Sequence, residues 1–339
     1  KFLQDYIAKG FPTYGVTTGF GDSCGNQINP SRAAELQKSI VRFHGIGLGK
    51  KFSHEEGRAV VLCRLNSDVK GGHSAIRVAL AEMLKTLLDK DIVPVIPELG
   101  SVGASGDLTP LSYVAAVVMG EREAYYKGKI VPAIDALKAE GIAPLPLAAK
   151  EGLAIMNGTS VMTAVASLSW KRARRLANIC DFVTAATAEI VRGNEVPFRK
   201  KVSEMKNHTG QIESAGYIYD IVKNSKRVYR YEELLERIGS IGDAQFEKRF
   251  VKIQDRYSIR CSPQINGVLR DTLRIAGQWI EEELNSANDN PLVNVDTGEL
   301  YNTGNFYGGH ICAACDYLRI ALANISDLAD KQAEIIIDG

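Results

Sequence analysis

The chain has almost no excess charge, no long apolar run and few cysteines, and each shortage excludes a class of protein. Its 339 residues include 41 basic and 40 acidic side chains, a net charge of +1. This balance argues against nucleic acid or a membrane surface as the main partner. No run approaches the ~20 apolar residues of a membrane-spanning helix. The first residue is Lys1 and no secretory signal pattern follows it, so we expect the chain to begin inside a longer protein.

Cofactor signatures are also scarce. The six scattered cysteines predict reduced thiols in a cytoplasmic protein rather than a disulfide framework. Cys312 and Cys315 follow His310, but no second pair of zinc ligands is apparent and the segment has a helical pattern. The glycine-rich segment 100–106 lacks the Gly-Lys-Ser/Thr ending of a phosphate-binding loop and the spacing of a dinucleotide-binding turn. We therefore expect no metal and no nucleotide cofactor.

Apolar residues at helical spacing dominate the chain and predict a mainly α fold, a long-helix bundle with a loop-rich N-terminal part. Strands are expected only over 92–96 and in a short hairpin over 125–129. The charge-rich region 199–252 contains helical pieces such as 232–238 and is predicted to be an exposed excursion rather than a second core. The helices are predicted over residues 73–89, 161–192 (buried in the bundle), 268–284 and 318–336. We expect a single domain over 1–339, with a loop-bearing part over 1–150 and a bundle part over 151–339.

The tripeptide Ala104-Ser105-Gly106 can build an electrophile from its own backbone. The Gly106 nitrogen attacks the Ala104 carbonyl carbon, and loss of water from the ring and from the Ser105 side chain leaves a methylidene-imidazolone (MIO). Glycine permits the bend that ring closure needs, and serine supplies the hydroxyl that is lost. Asp107, Thr109 and Pro110 predict that a helix begins near Leu108, whose amides and positive end would face the ring oxygen. For the tripeptide alone, a glycine-rich turn remains the simpler interpretation.

Four separated segments change that interpretation. They are residues 14–21, 100–111 and 151–160, and a fourth made of 254–260, 285–291 and 304–306. In combination they resemble the aromatic amino acid lyases that carry an MIO group: the phenylalanine, tyrosine and histidine ammonia-lyases and the related aminomutases. The resemblance covers nearly the whole chain. It implies the mainly α fold of those enzymes, with the MIO loop in the N-terminal part and Ala104-Ser105-Gly106 as the source of the ring.

Deamination of an aromatic amino acid needs a base for the β-proton and a clamp for the carboxylate. A guanidinium binds a carboxylate through two hydrogen bonds, so Arg260 is the candidate clamp. In the family, the residue matching Tyr14 is the base. The resemblance further implies that Asn157 and Tyr257 support the ring, that Gln254 and Asn305 line the amino and carboxylate side, that Phe306 packs on ring and substrate, and that Leu153 belongs to the substrate pocket. Taken singly, Tyr14 also fits a core tyrosine, Arg260 a structural ion pair and Asn157 a turn residue.

The pair Phe43-His44 matches the position that contacts the substrate's aromatic ring in the family. Histidine-specific members usually have Ser-His here, tyrosine-specific members His-Leu and phenylalanine-specific members Phe-Leu, so Phe-His matches none of them. A neutral imidazole can hydrogen-bond a ring nitrogen or a phenol, although a core histidine is the alternative. Thr17, Ser160 and Asn288 stand where histidine lyases often have Asn, Gln and Ser, and these three residues favour an aryl substrate.

These observations predict an ammonia-lyase that converts an aromatic L-amino acid, phenylalanine or tyrosine, into an arylacrylate. A histidine ammonia-lyase, an aromatic amino acid 2,3-aminomutase and an inactive scaffold homologue remain open. The resemblance implies a homotetramer with shared active sites, a small-molecule partner, and neither nucleic acid nor membrane. It also implies a further C-terminal part with a Glu or Gln region near the substrate amine, which this sequence does not include.

Overall fold

The computed structural model describes residues 1–240, 242, 243, 245, 246, 248 and 253–338. The mainly α prediction is confirmed, because 60% of the structure is helical and strands are few. The helices are α1 Phe2–Ala8, α2 Ala33–Phe43, α3 His54–Val69, α4 Val78–Asp89, α5 Leu108–Val118, α6 Ala133–Ala139, α7 Glu151–Met156, α8 Ser160–Ile190, α9 Lys200–Glu204, α10 Thr209–Val222, α11 Tyr231–Ile238, α12 Tyr257–Arg260, α13 Ser262–Leu284 and α14 Gly309–Asp338. The strands are β1 Leu48–Lys51, β2 Val93–Pro94, β3 Pro97–Leu99, β4 Glu123–Tyr126, β5 Lys129–Pro132, β6 Leu292–Asn294 and β7 Glu299–Tyr301.

The chain groups into two compact units. The first unit is Lys1–Leu168 with Ile280–Ile311, and the second is Ser169–Trp279 with Cys312–Gly339. The unit boundaries fall inside α8, α13 and α14. The single lyase domain over 1–339 stays a prediction.

The first unit is built around α5, whose residues are almost all buried. Residues of α2, α3, α4 and α7 pack with it in one apolar core. Three small antiparallel sheets lie in the same unit: β1 with β3, then β2, β4 and β5 in that order, and β6 with β7. The predicted hairpin is confirmed as β4 and β5, with Gly128 in the left-handed turn between them at φ +76°.

The second unit has its own apolar clusters. One joins α8, α13 and α14 through residues such as Leu269, Leu273 and Leu318. The other includes Phe198, Ile218 and Val222. The prediction that 199–252 is an exposed excursion is wrong for α10, which buries Ala215, Ile218 and Val222 despite the charged composition of the segment. It fits α11, which has no buried residue. Residues 241, 244, 247 and 249–252 of that segment lie outside the described residues.

Other predicted boundaries shift, and the helices predicted over 268–284 and 318–336 begin earlier, at Ser262 and Gly309. The helix predicted over 73–89 begins only at Val78, since Ala75 adopts a left-handed backbone with φ +56°. The strand predicted over 92–96 is limited to β2. Helix α8 matches the predicted 161–192, but its second half exposes apolar side chains such as Ile179, Phe182 and Ile190, so it is only half-buried within the chain. No described helix has the length and apolar character needed to cross a membrane.

Candidate active site

The Ala104-Ser105-Gly106 triplet lies in the loop between β3 and α5, as predicted, just ahead of a helix that begins at Leu108. The backbone turns back on itself there, because Gly106 pairs with both Gly103 and Ala104. Gly106 has φ +72°, a conformation open to glycine and strained for other residues. The triplet is thus bent at the position where ring closure requires a bend.

Gly106 also packs against Gly158 with no room for a side chain. A Cβ built on Gly106 would stand 2.2 Å from the Gly158 oxygen. The Asp107 amide donates to the same oxygen at 2.7 Å. The loop that bears the triplet is therefore fixed against the loop between α7 and α8.

Asn157 reaches the triplet directly. It ends α7, is buried, and donates from Nδ2 to the Ser105 carbonyl oxygen at 2.7 Å. Its Oδ1 is buried without a hydrogen-bond partner among the described residues. The donor that the structure shows at the Ser105 oxygen is thus a side-chain amide, where the sequence predicted the first turn of α5.

Asp107 fixes the same loop through two hydrogen bonds to its carboxylate. Its buried carboxylate accepts from the Met162 amide at 2.8 Å and from the Ser101 hydroxyl at 2.9 Å. Burial raises the pKa of Asp107, while these hydrogen bonds oppose that rise. The carboxylate thereby joins the start of α5 to the first turn of α8, and it fixes where the triplet sits.

A fully buried charge cluster lies beneath Gly158. The Arg64 guanidinium forms an ion pair with Asp68 at 2.7 Å and lies 3.4 Å from the Asn157 carbonyl oxygen. Lys150 pairs with Asp289 in the same interior. Burial raises the pKa of Asp68 to about 7, with the Arg64 charge opposing the rise. No motif in the sequence pointed to Arg64.

Hydrogen bonds to the hydroxyls of Thr17, Thr18 and Tyr14 itself hold the Tyr14 loop together. The Thr13 amide donates to Thr17 Oγ1 at 2.8 Å, and the Gly15 amide donates to Thr18 Oγ1 at 3.1 Å. The half-buried Tyr14 hydroxyl accepts from the Gly21 amide at 3.1 Å. These bonds hold the phenol in a defined position, which a base for proton abstraction requires.

Phe43 and His44 end α2 side by side, with ring centroids 4.6 Å apart. Phe43 is 57% exposed. His44 Nδ1 lies 2.9 Å from the Ile40 carbonyl oxygen. Because a carbonyl oxygen only accepts, Nδ1 carries the proton in the neutral ring and Nε2 is left as an acceptor.

The remaining predicted site residues of the first unit, Leu153, Asn305 and Phe306, have fewer contacts that tie them to the triplet or to Tyr14. Leu153 is a buried core residue under the Tyr14 loop, where a Cβ on Gly15 would lie 2.7 Å from its Cδ2. Asn305 is exposed and donates from Nδ2 to the Ala287 oxygen at 3.3 Å. Phe306 follows it and is half-buried. Their substrate-binding roles stay predictions.

Three predicted residues, Gln254, Tyr257 and Arg260, belong to the second unit. The Arg260 guanidinium lies over the Tyr257 ring at 4.3 Å, and its Nε is buried without a hydrogen-bond partner among the described residues. Gln254 and Arg260 line one cavity of about 420 Å³. The segment is anchored by Asp255, whose carboxylate accepts from the Asn194 amide at 2.9 Å. A guanidinium that lines a cavity suits a carboxylate ligand.

Thr17, Asn288 and Ser160, the residues that favoured an aryl substrate, make hydrogen bonds or pack within their own surroundings. Thr17 Oγ1 accepts within its own loop. Asn288 Oδ1 accepts from the Ser67 hydroxyl at 3.0 Å. Ser160 is buried at the start of α8. None of these contacts reaches Phe43 or His44, so the influence of the three residues on the substrate stays a prediction.

The residues present fit an MIO ring. Ring closure retains the Ser105 carbonyl oxygen as the ring oxygen. That oxygen already accepts a hydrogen bond from the Asn157 side-chain amide. Gly106 has the bend and the lack of a side chain that closure needs. Among the described residues, no group of three histidine, cysteine or acidic side chains is placed to hold a metal ion.

A helical fold with a bent Ala-Ser-Gly triplet, held by an asparagine amide, is the arrangement expected of an aromatic amino acid lyase, and comparison with known proteins supports membership of that family. The sequence model of the family described as aromatic amino acid lyase matches residues 1–339. A histidine ammonia-lyase of Stigmatella aurantiaca is 38% identical over 337 residues, covering 99% of this chain and 63% of that protein. The MIO-dependent tyrosine 2,3-aminomutase of Streptomyces globisporus is 39% identical over 341 residues, covering 100% of this chain and 63% of its own length.

A solved structure agrees as well. The phenylalanine aminomutase of Pantoea agglomerans superimposes with a TM-score of 0.94 at 35% identity, over 98% of this chain and 64% of that one. The chain belongs to the aromatic amino acid lyase family, which includes ammonia-lyases and aminomutases. It spans about 63% of the length of the relatives it matches.

Proposed function

We propose that the protein eliminates ammonia from an aromatic L-amino acid through an MIO ring made from Ala104, Ser105 and Gly106. The observation that carries this proposal is the Asn157 amide on the Ser105 oxygen, beside a triplet bent at Gly106. Ring formation joins the Gly106 nitrogen to the Ala104 carbon. The Ala104 oxygen leaves as one water, and the Ser105 hydroxyl and α-proton leave as a second.

Once formed, the ring would supply an electrophilic methylidene carbon for the substrate nitrogen, which would make that nitrogen a better leaving group. Asn157 stabilises negative charge on the ring oxygen by donating its amide hydrogen bond. Tyr14 takes the β-proton, and the electron pair of that C–H bond becomes the Cα=Cβ double bond. The Cα–N pair leaves with the nitrogen. The β-proton passes from Tyr14 to the departing nitrogen, so the products are ammonia, protonated in water to ammonium, and an arylacrylate.

Arg260 is the proposed carboxylate clamp. Its unpartnered buried Nε and the cavity that it shares with Gln254 support this role. Tyr257 lies against the guanidinium and limits how it can turn. Holding the carboxylate orients the amino acid before reaction, and such orientation lowers the entropic part of the barrier.

The pair Phe43-His44 favours tyrosine as the substrate. Because Nδ1 of His44 donates to Ile40, Nε2 of the neutral ring accepts a hydrogen bond. A phenol hydroxyl can donate to such a nitrogen, whereas the ring of phenylalanine offers no donor. The exposed Phe43 ring supplies an apolar face beside it.

A 2,3-aminomutase is the second candidate. It would use the same residues but return the ammonia to the β-carbon. The 39% identity to a tyrosine 2,3-aminomutase favours it. A histidine ammonia-lyase is the third, favoured by relatives such as that of Stigmatella aurantiaca, and the imidazole N–H of histidine could also donate to His44.

We further propose a homotetramer with shared active sites, located in the cytoplasm. The exposed apolar side chains of α8, among them Ile179 and Phe182, support burial against other copies of the chain. The six unpaired cysteines suit a reducing compartment. The partner in turnover is the small-molecule amino acid.

The test is a direct assay of the full-length protein with tyrosine, phenylalanine and histidine. We expect coumarate from tyrosine, seen as ultraviolet absorbance of the product, and loss of almost all turnover in Ser105→Ala with the fold intact. A β-amino acid as the main product would replace the lyase proposal with the aminomutase, and urocanate from histidine would replace it with the histidine lyase. Normal folding without the ring's own absorbance would indicate an inactive scaffold.

A further inference from the structure

One buried glutamine joins three segments that carry predicted site residues. Gln37 lies on α2 and is completely shielded from solvent. Its Nε2 donates to the Gly15 carbonyl oxygen at 2.7 Å, and its Oε1 accepts from the Leu153 amide at 2.9 Å. Gly15 follows Tyr14 directly, and Leu153 lies on the helix that ends at Asn157.

A polar side chain at this position is unfavourable for packing alone. Gln37 occupies the core face of α2, together with Ala33, Ile40 and Val41. Burying an amide there destabilises the fold unless both of its polar atoms are satisfied. They are satisfied by main-chain groups of two other segments, so the side chain fixes one segment relative to the other.

The packing around these bonds leaves little freedom. A Cβ on Gly152 would come within 2.8 Å of the Gln37 main-chain oxygen, and a Cβ on Gly15 within 2.7 Å of Leu153 Cδ2. Helix α2 and the Tyr14 loop therefore both lie directly against α7. The two Gln37 hydrogen bonds fix the positions of the Tyr14 loop and α7 relative to α2.

We propose that Gln37 is a positioning residue that holds the Tyr14 hydroxyl in register with Asn157 and the Ser105 carbonyl. This inference rests on the proposed function, in which Tyr14 takes the β-proton. Gln37 touches neither substrate nor ring, and it acts through the Gly15 peptide on the phenol and through the Leu153 peptide on α7.

The first test is Gln37→Met, which keeps the length of the side chain and removes both hydrogen bonds. A displacement of about 1 Å can lower a rate by about 10²-fold, so we expect kcat per ring-bearing site to fall about 10- to 100-fold. KM should change less than about threefold, since substrate binding does not use the phenol. The ring's ultraviolet absorbance should persist. Without substrate, amides of residues 13–19 should exchange hydrogen faster.

The matched control is Gln211→Met. Gln211 is also buried, and its Nε2 lies 3.5 Å from the Ser203 oxygen in the second unit. This control should lower thermal stability with kcat per ring-bearing site unchanged. If Gln37 were merely structural, Gln37→Met would behave in the same way, and that result would overturn the proposal.

The second test asks whether Gln37 acts through Tyr14. In a Tyr14→Phe background the base is already gone, so Gln37→Met should lower kcat by less than about threefold further. Effects that multiply in full would show that the two residues act independently and would overturn the proposal.

The third test is rescue by Gln37→Glu. A buried carboxyl has a raised pKa, and its neutral form can donate to Gly15 and accept from Leu153 as the amide does. The ionised form only accepts and faces the Gly15 oxygen. The ratio of variant to wild-type kcat should therefore fall more than about tenfold as pH rises, and a flat ratio would contradict the proposal. A wild-type protein that lacks the ring absorbance and deaminates nothing would instead overturn the proposed function, and this inference with it.

Discussion

At the scale of single residues, the triplet loop depends on glycines whose surroundings differ. Gly103 and Gly106 have similar backbone conformations, with φ +68° and +72°. A Cβ on Gly103 meets nothing within 4 Å, whereas one on Gly106 collides with Gly158. Substituting each of the two glycines by alanine therefore distinguishes the effect of backbone strain, which both positions share, from the effect of steric crowding, which only Gly106 has.

We expect Gly106→Ala to abolish the ring and Gly103→Ala to keep it. Both variants carry backbone strain of about 1 kcal/mol, but only Gly106→Ala pushes the triplet away from Gly158 and Asn157. The measurement is the difference in ultraviolet absorbance between each variant and Ser105→Ala. Equal loss of the ring in both variants would show that strain alone decides.

Arg260→Lys should raise KM for the amino acid about 10- to 100-fold, because an ammonium cannot make the two parallel hydrogen bonds of a guanidinium. Arg256→Lys, on an exposed neighbour in the same segment, is the control and should leave KM unchanged. Steady-state kinetics of both variants check this. An unchanged KM in Arg260→Lys would remove the carboxylate clamp from the proposal.

The buried Asp68 predicts a pH dependence of stability. Burial raises its folded pKa to about 7, above the ordinary unfolded value of about 3.9. Between these values the folded state binds more protons than the unfolded state, so this group's contribution to stability falls as pH rises. Asp68→Asn should therefore make the thermal midpoint depend less on pH between about 4 and 7. A slope as steep as in the wild type would assign the pH dependence to other groups.

At the scale of elements, the sequence predicted the type of most segments and the start of α5 at Leu108, because helical periodicity and the Asp-Leu-Thr-Pro start are local signals. It missed Gln37 and Arg64, which are recognised only when their partners, far away in the chain, are known. The core face of α10 was hidden by a charge-rich composition. The local sign that could have singled out Gln37 is its position on the apolar face of α2, where a polar side chain is unusual.

The start of helix α3 is stabilised by a capping box, whose contribution to stability can be measured. Ser53 precedes it and accepts from the Glu56 amide at 3.3 Å, while Glu56 accepts from the Ser53 amide at 2.8 Å. Ser53→Ala should lower the free energy of unfolding by about 1 kcal/mol and leave kcat unchanged, since the cap lies outside the proposed site. Ser53→Thr keeps the hydroxyl and should be nearly neutral. Denaturant unfolding measures both, and equal stability of all three proteins would show that the cap contributes nothing.

At the scale of the whole molecule, the apolar surface of α8 bears on assembly. Phe182 is 57% exposed within the chain. If other copies cover it, Phe182→Glu places a charge in an apolar interface and should reduce the proposed tetramer to smaller species with loss of activity. Lys171→Glu, on an exposed position of the same helix, should leave the assembly intact. Light scattering decides, and an unchanged mass for Phe182→Glu would contradict burial of this face.

The central claim is that this chain makes its own electrophile from Ala104, Ser105 and Gly106. Intact-mass spectrometry of the purified protein, with mapping of the peptide that contains residues 100–109, tests it without any substrate. The account predicts a mass two waters below that of the sequence, located in this peptide, and no deficit in Ser105→Ala. A wild-type peptide with the full mass of its sequence would contradict the account.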